Sequence, residues 1–239
     1  MKIEYLIYNL IVFSGPFVLS FDRKVNFVQY WRFAFPAIAI PLVPYIFWDA
    51  LVTHRHWWFN ENYTLDARFL NLPIGEWLFF IAVPYACLFI WEVLGAYFKN
   101  PQIPALSRLH TAMLVGIPAG IWFWVDGKEY TALVLIALGL VGFLERALQT
   151  GIFSQSRTWR FLAIVSGLTL VFNGYLTARP VVMYDPAFQL DFRIFTIPVE
   201  DFGYGISLVL FNVLLFEFFK QKAAAKSDTM VESVNQLAD

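Results

Sequence analysis

Residues Phe59–Trp77 read FNENYTLDARFLNLPIGEW, and Tyr184–Phe202 read YDPAFQLDFRIFTIPVEDF. At a constant offset of 125 residues, Leu65, Asp66, Arg68 and Pro73 return as Leu190, Asp191, Arg193 and Pro198. Aromatic residues answer aromatic ones, with Phe59, Tyr63 and Trp77 becoming Tyr184, Phe188 and Phe202; further along, Glu92 becomes Glu217. One position breaks the correspondence: Gly75 stands where the second copy has Glu200. A chain that repeats a polar, charged segment at a fixed spacing contains two related halves. Each half brings a charged loop and an acidic helix start to a shared place.

The surroundings of these loops are apolar. Hydrophobic residues make up 59% of the 239 residues, aromatics 19% and charged residues only 15%, with a mean hydropathy of +0.59. No soluble domain of this size has that balance. Stretches near the ~20 residues that a bilayer core demands run over 4–21, 32–48, 74–98, 107–125, 129–148, 159–178 and 202–219. The fold class implied is all-α: a polytopic membrane protein of about seven transmembrane helices built from two parallel repeats. Residues 1–98 form the first repeat, 99–128 a connecting helix, 129–222 the second repeat, and 223–239 a polar tail expected to be disordered. The first stretch reads as an uncleaved helix, because no basic segment precedes it and Pro16 and Phe17 occupy the place of a cleavage site.

Lys and Arg set the orientation. Eleven of the seventeen, among them Arg32, Lys99, Arg157 and Lys220, follow the odd-numbered stretches. The positive-inside rule then puts the N-terminus outside, the C-terminus in the cytoplasm and both repeated loops on the non-cytoplasmic side. A net charge of −1 without a basic tract gives no reason to invoke nucleic acid. The lone Cys87 excludes an intramolecular disulfide and reads as a packing residue.

Several acids are candidates for chemistry. Thr196 and Pro198 suit the start of a helix, which puts Glu200 and Asp201 in its first turn. Asn71, Pro73 and Glu76 rebuild the same arrangement in the first half. Acids in a first turn complement the helix dipole at the water boundary, and one copy alone would be explained that way. Two copies point to function, since ionisable groups within the membrane are costly. Arg68 and Arg193, five residues before their prolines, are expected to reach and position these carboxyls, although Asp66 and Asp191 are equally available to them. Asp49 closes the second span and has Gly174 as its counterpart, so it is an unmatched contribution of the first half. His54 and His56 lack a third ligand and, beside Trp57 and Trp58, read as interfacial residues; no metal site is expected. Glu92 and Glu217 lie roughly 24 Å down their helices at 1.5 Å per residue. They belong to the far end, near Lys99 and Lys220. The 26 Phe, 11 Tyr and 9 Trp mostly serve packing, but beside buried acids aromatic faces also stabilise a carbocation without trapping it.

The segments FWD at 47–49, WWFNENYT at 57–64, LPIGEWLFFIAVPY at 72–85, FIWE at 89–92, LTARPVVMYD at 176–185 and TIPVEDFGYG at 196–205 resemble those of the membrane-integral lycopene cyclases. That family has two homologous domains, separate subunits in some bacteria and fused in other organisms, and this chain resembles the fused form from end to end. The resemblance implies conversion of the open ends of lycopene into β-ionone rings, giving γ- and β-carotene without net redox change. An acid protonates the terminal double bond, the tertiary cation is attacked by the next double bond, and a base removes a ring proton. Glu200 is the first candidate for the acid, with Glu76 and Asp201 as partners, Asp49 beside them, and Arg68 and Arg193 as positioners. The family motif in the first half usually reads Pro, apolar, Glu, Glu; here it reads Pro73, Ile74, Gly75, Glu76, and Gly75→Glu is the change that would return the missing acid. Glycine is also common in the family where Asp66 and Asp191 stand, which argues against roles for those two.

No nucleotide, zinc or flavin motif is visible, so no cofactor is expected. The expected partners are a carotenoid polyene and the lipid bilayer, in a bacterial inner membrane, and a homo-oligomer stays open. Another membrane terpenoid cyclase or hydratase is the alternative, separable by supplying different polyenes. A retinal-binding receptor is excluded because every Lys lies at a helix end or in a loop. A proton-coupled transporter ranks lower, since the third and seventh spans carry little polarity at mid-depth.

Overall fold

The computed structural model describes residues 2–238, and the side chains of all of these but 228 and 230–238. The molecule is mostly helical: α1 Glu4–Leu19, α2 Trp31–Val52, α3 Ile74–Tyr97, α4 Leu109–Met113, α5 Gly116–Val125, α6 Glu129–Leu148, α7 Ser156–Ala178 and α8 Val199–Ala238. By length and composition, five helical segments among the described residues suffice to cross a membrane: Phe27–Val52, Ile74–Tyr97, Glu129–Leu148, Ser156–Ala178 and Val199–Ser227. The first and fourth of the seven expected stretches are shorter. The first is α1, with 16 residues, and the fourth is divided between α4, with 5, and α5, with 10. α8 continues as far as Ala238, into the polar stretch set aside above as a tail.

Between the helices lie short strands that obey the 125-residue offset. β2 (Arg68–Phe69) and β3 (Leu72–Pro73) form a hairpin, and β5 (Arg193–Ile194) and β6 (Ile197–Pro198) form its counterpart. Leu70 and Asn71 turn the first at φ 52° and 64°, and Phe195 turns the second at φ 58°. Two-residue hairpins need this left-handed backbone. Asn71 and Thr196 therefore sit in turns and not at helix caps. Pro73 itself precedes α3, with no side-chain cap, and Thr196 bonds Thr177 at 2.7 Å.

One pairing joins the halves. β1 (Trp57–Phe59) runs antiparallel to β4 (Val182–Tyr184), with Trp57 opposite Tyr184, Trp58 opposite Met183 and Phe59 opposite Val182. Trp58 and Met183 are themselves counterparts at the 125 offset, so the ladder is symmetric about that pair. Period-two alternation turns Trp57, Phe59 and Val182 to the buried face and leaves Trp58 37% exposed.

The core has two regions. One surrounds Phe27, Leu88, Trp91, Phe161, Val213 and Phe216; the other, rich in tyrosine, gathers Tyr5, Tyr45, Trp57, Phe80 and Tyr130 beneath the ladder. The connector joins the bundle through small residues. A Cβ added to Gly116 would lie 2.4 Å from the carbonyl oxygen of Leu135, and one added to Gly142 2.4 Å from that of His110. Such contacts let helices approach where water offers no drive for association. Gly116→Ala is accordingly expected to destabilise by about 1–3 kcal/mol, lowering the melting temperature by roughly 2–4 °C per kcal/mol. Gly15→Ala, where nothing lies within 4 Å, is the control that should leave it unchanged.

Candidate active site

Most of the polar groups that face one another at the ladder end of the bundle come from near helix ends. Tyr5 opens α1, Asp49 ends α2, Glu76 opens α3, Tyr130 opens α6, Asn173 lies near the end of α7 and Asp201 opens α8. They border a cavity of about 350 Å³ that is otherwise lined mainly by apolar and aromatic side chains. Trp57, Phe59, Val182 and Tyr184 of the ladder form its roof. Among the described lining residues there are three carboxyls, Asp49, Glu76 and Asp201, and no Lys, Arg or His.

Two of these carboxyls are held by matching bonds. The Tyr5 hydroxyl donates to Glu76 Oε2 at 2.5 Å, and the Tyr130 hydroxyl donates to Asp201 Oδ1 at 2.7 Å. Tyr5 and Tyr130, like Glu76 and Asp201, are 125 residues apart. The environments then diverge. Asp201 Oδ2 also accepts from Asn173 Nδ2 at 2.6 Å and from the Tyr184 hydroxyl at 2.8 Å, whereas Asp49 is 2% exposed and its Oδ2 has no partner. The Tyr184 hydroxyl, in the roof, is shifted well above its ordinary range by burial and the adjacent Asp201, and stays a donor.

The family model for lycopene cyclases matches this chain twice, over residues 3–94 and 127–219. The chain belongs to the lycopene cyclase family. No curated protein and no solved structure matches it at a significant level. Membership supplies the general role, an enzyme that cyclises lycopene, and its two matched segments are the two repeats.

Within this cyclase three of the six expected site residues lie away from the cavity. Glu200 is buried, but its Oε1 accepts from the Thr131 hydroxyl at 2.6 Å and the Leu190 N–H at 2.8 Å, while its Oε2 has no partner. Successive helical residues project about 100° apart, so Asp201 faces the cavity and Glu200 faces α6 and the preceding loop. Arg68 donates to the Leu65 carbonyl at 2.6 Å and to Thr64 Oγ1 at 3.0 Å, and Arg193 donates to the Thr196 carbonyl at 2.8 Å. Arg193 braces its own hairpin and Arg68 the segment leading into its hairpin, instead of a carboxyl of the cavity. Asp66 pairs with Lys2 at 2.7 Å on the surface.

The repeats also grip each other at their edges. Glu4 of α1 accepts from Arg179 at 2.9 Å and Tyr175 at 2.6 Å; its counterpart Glu129 of α6 bonds Arg55 and, at 2.9 Å, His56 Nε2. The His-Arg-His segment, expected to be merely interfacial, thus clamps the second repeat. Burial lowers the His56 pKa, against the opposing pull of Glu129. At the far end, Glu92 meets Arg157 at 2.9 Å and Lys220 at 2.8 Å, and Glu217 meets Lys220 at 3.1 Å. That group is remote from the three cavity carboxyls, as the spacing predicted, although Lys220 and not Lys99 is the shared partner.

Sequence reasoning missed Tyr5, Tyr130, Asn173 and Tyr184. A signal existed for the first two: carrying the 125 offset back to the N-terminus aligns Glu4-Tyr5 with Glu129-Tyr130.

Proposed function

We propose that this chain is a lycopene β-cyclase that closes ψ-ends to β-ionone rings by proton-initiated, non-redox chemistry in a bacterial inner membrane. In this reading seven spans cross the bilayer, α4 and α5 together serving as the fourth, with the N-terminus outside and the C-terminus in the cytoplasm. One observation carries the chemistry: three carboxyls share an aromatic cavity that has no basic residue in its lining. Such surroundings accommodate a neutral, proton-bearing carboxyl better than three uncompensated charges.

Asp201 accepts from three donors, which is the coordination of a carboxylate; it is assigned the base. Asp49, with an oxygen that no donor satisfies, and Glu76, with one tyrosine, are assigned the proton-delivering side. The proton adds to the terminal double bond, leaving a tertiary cation. The neighbouring double bond attacks it, a carbon–carbon bond closes the ring, and the cation moves to the ring. Loss of a ring proton to Asp201 then forms the new double bond. One proton enters and one leaves, so the product is an isomer. The rings of Tyr130, Trp57 and Tyr204 offer π-faces to the passing cation. Glu200 supports the loop through Leu190, and Arg68 and Arg193 hold the hairpins.

The test is the pigment profile of lycopene-producing cells expressing the chain. γ- or β-carotene is expected. ε-Type rings would retain a cyclase and overturn the β assignment, and unchanged lycopene beside well-inserted protein would overturn the reading. Glu200→Gln should retain activity to within about tenfold, the scale of one lost hydrogen bond to a charged group.

A further inference from the structure

The paired hydrogen bonds put both repeats' acids on one cavity, but the cavity continues in only one direction. From Glu76 it follows α3 through Val83, Ala86 and Cys87 to Ile90, about 21 Å at 1.5 Å per residue. Its other walls come from α1, α7 and the α8 residues Gly205 and Val209. A symmetric molecule would have a second channel running along α8. Larger side chains stand at the matching positions instead. At the 125 offset Gly205 is answered by Phe80, Ala86 by Phe211 and Val83 by Leu208. Phe80 and Leu208 are each 1% exposed, and none of the three lines the cavity. A Cβ added at Gly205 meets nothing within 4 Å, so the missing side chain is what leaves this arm open.

The arm also reaches the molecular surface. Ile11 lines it and is nevertheless 62% exposed. There α1 faces α7, and these two helices are joined towards the ladder end by the stacking of Tyr8 on Tyr175, with ring centroids 6.4 Å apart, and by the Glu4–Arg179 bond. Both helices expose apolar side chains, Leu10 and Ile11 on α1 and Leu170 and Val171 on α7, so in the seven-span reading the gap faces hydrocarbon.

We infer that the polyene passes sideways from the bilayer between α1 and α7 into a single channel kept open by Gly205 and Ala86, and that both of its ends react one after the other in the same seat. The identity of the polyene rests on the cyclase reading. One seat means that the singly cyclised molecule leaves and turns round before its second end reacts.

Two readouts on full-length protein separate the ideas: lycopene that co-purifies with the protein extracted from lycopene-producing cells, and rings formed. Gly205→Phe, and separately Ala86→Phe on the facing helix, should lower both by about tenfold or more, as an aromatic ring cannot share a filled channel. Gly167→Phe adds the same ring on α7 where nothing lies within 4 Å, and should change neither. Unaltered retention and conversion in both plugged variants, at normal yield, would overturn the channel. Wild type that retains lycopene without forming rings refutes the cyclase reading while the loss on plugging still supports the channel; wild type that does neither refutes both. In the time course γ-carotene should precede β-carotene, and β-carotene appearing without a lag would refute the single seat.

Discussion

Asp201→Asn is expected to lower ring formation by about 10³-fold, within the range that a positioned acid or base supplies. The side chain keeps its shape. Its oxygen still accepts from Tyr130, and Asn173 and Tyr184 can each turn an acceptor towards the new amide, so the protein should insert and purify normally. What is lost is the ability to take up a proton beside the ring. Initial rates of γ-carotene formation in membranes, normalised to purified yield, are the measurement. An Asn variant that keeps more than about a tenth of the rate would remove Asp201 from the reacting atoms. Tyr130→Phe deletes one of three donors, and about tenfold is the expected loss.

Gly75→Glu is expected to abolish activity and not to restore it. The sequence suggests the opposite, because the change rebuilds the family's pair of glutamates. The geometry forbids it: a Cβ at position 75 would lie 2.5 Å from the ring of Tyr5, the tyrosine that donates to Glu76. Tyr5 is 2% exposed and stacks near Tyr8 and Phe59, so it cannot swing aside without disturbing the cavity wall. Asn9 Nδ2 also fixes the Gly75 carbonyl at 2.9 Å. Overpacking of this kind costs about 1–3 kcal/mol, and displacement of Tyr5 removes the bond that α1 makes to Glu76. Gly75→Ala should show the steric part alone, as a fall in melting temperature with a smaller fall in rate. A gain of rings in Gly75→Glu would show that Tyr5 is dispensable.

Much of the architecture was legible because its causes are local. A bilayer core demands a run of apolar residues, and the seven runs coincide with α1 to α8 to within a few residues at nearly every end, the connector's division apart. The repeat placed Glu76 and Asp201 at one end of the bundle, and the end of the second apolar run placed Asp49 there. The differences between expected and observed placement have common causes in geometry. Glu200 and Asp201 are neighbours in a first helical turn, and their sequence does not say which of two directions 100° apart faces inward. Arg68 and Arg193 stand five residues before their prolines, a span long enough to suggest reach, but the two-residue turn folds back to give Arg193 the Thr196 carbonyl, and Arg68 is taken up by Leu65 and Thr64 just before it. Tyr5 and Tyr130 were hidden inside apolar runs, where a tyrosine reads as one more aromatic until its hydroxyl partner, 71 residues away, is seen.

The ladder in which Trp58 meets Met183 would close equally well between two identical copies of either half. An ancestor made of one gene, assembling as a pair, needs nothing more. Such a pair has the same residue at both ends of every match. It could own glycine at both of the positions now held by Gly205 and Phe80, or phenylalanine at both, but never one of each. The one-sided cavity, and with it an aspartate that has three donors in one half and a tyrosine crowded against glycine in the other, is available to inheritance only where the two halves can mutate separately.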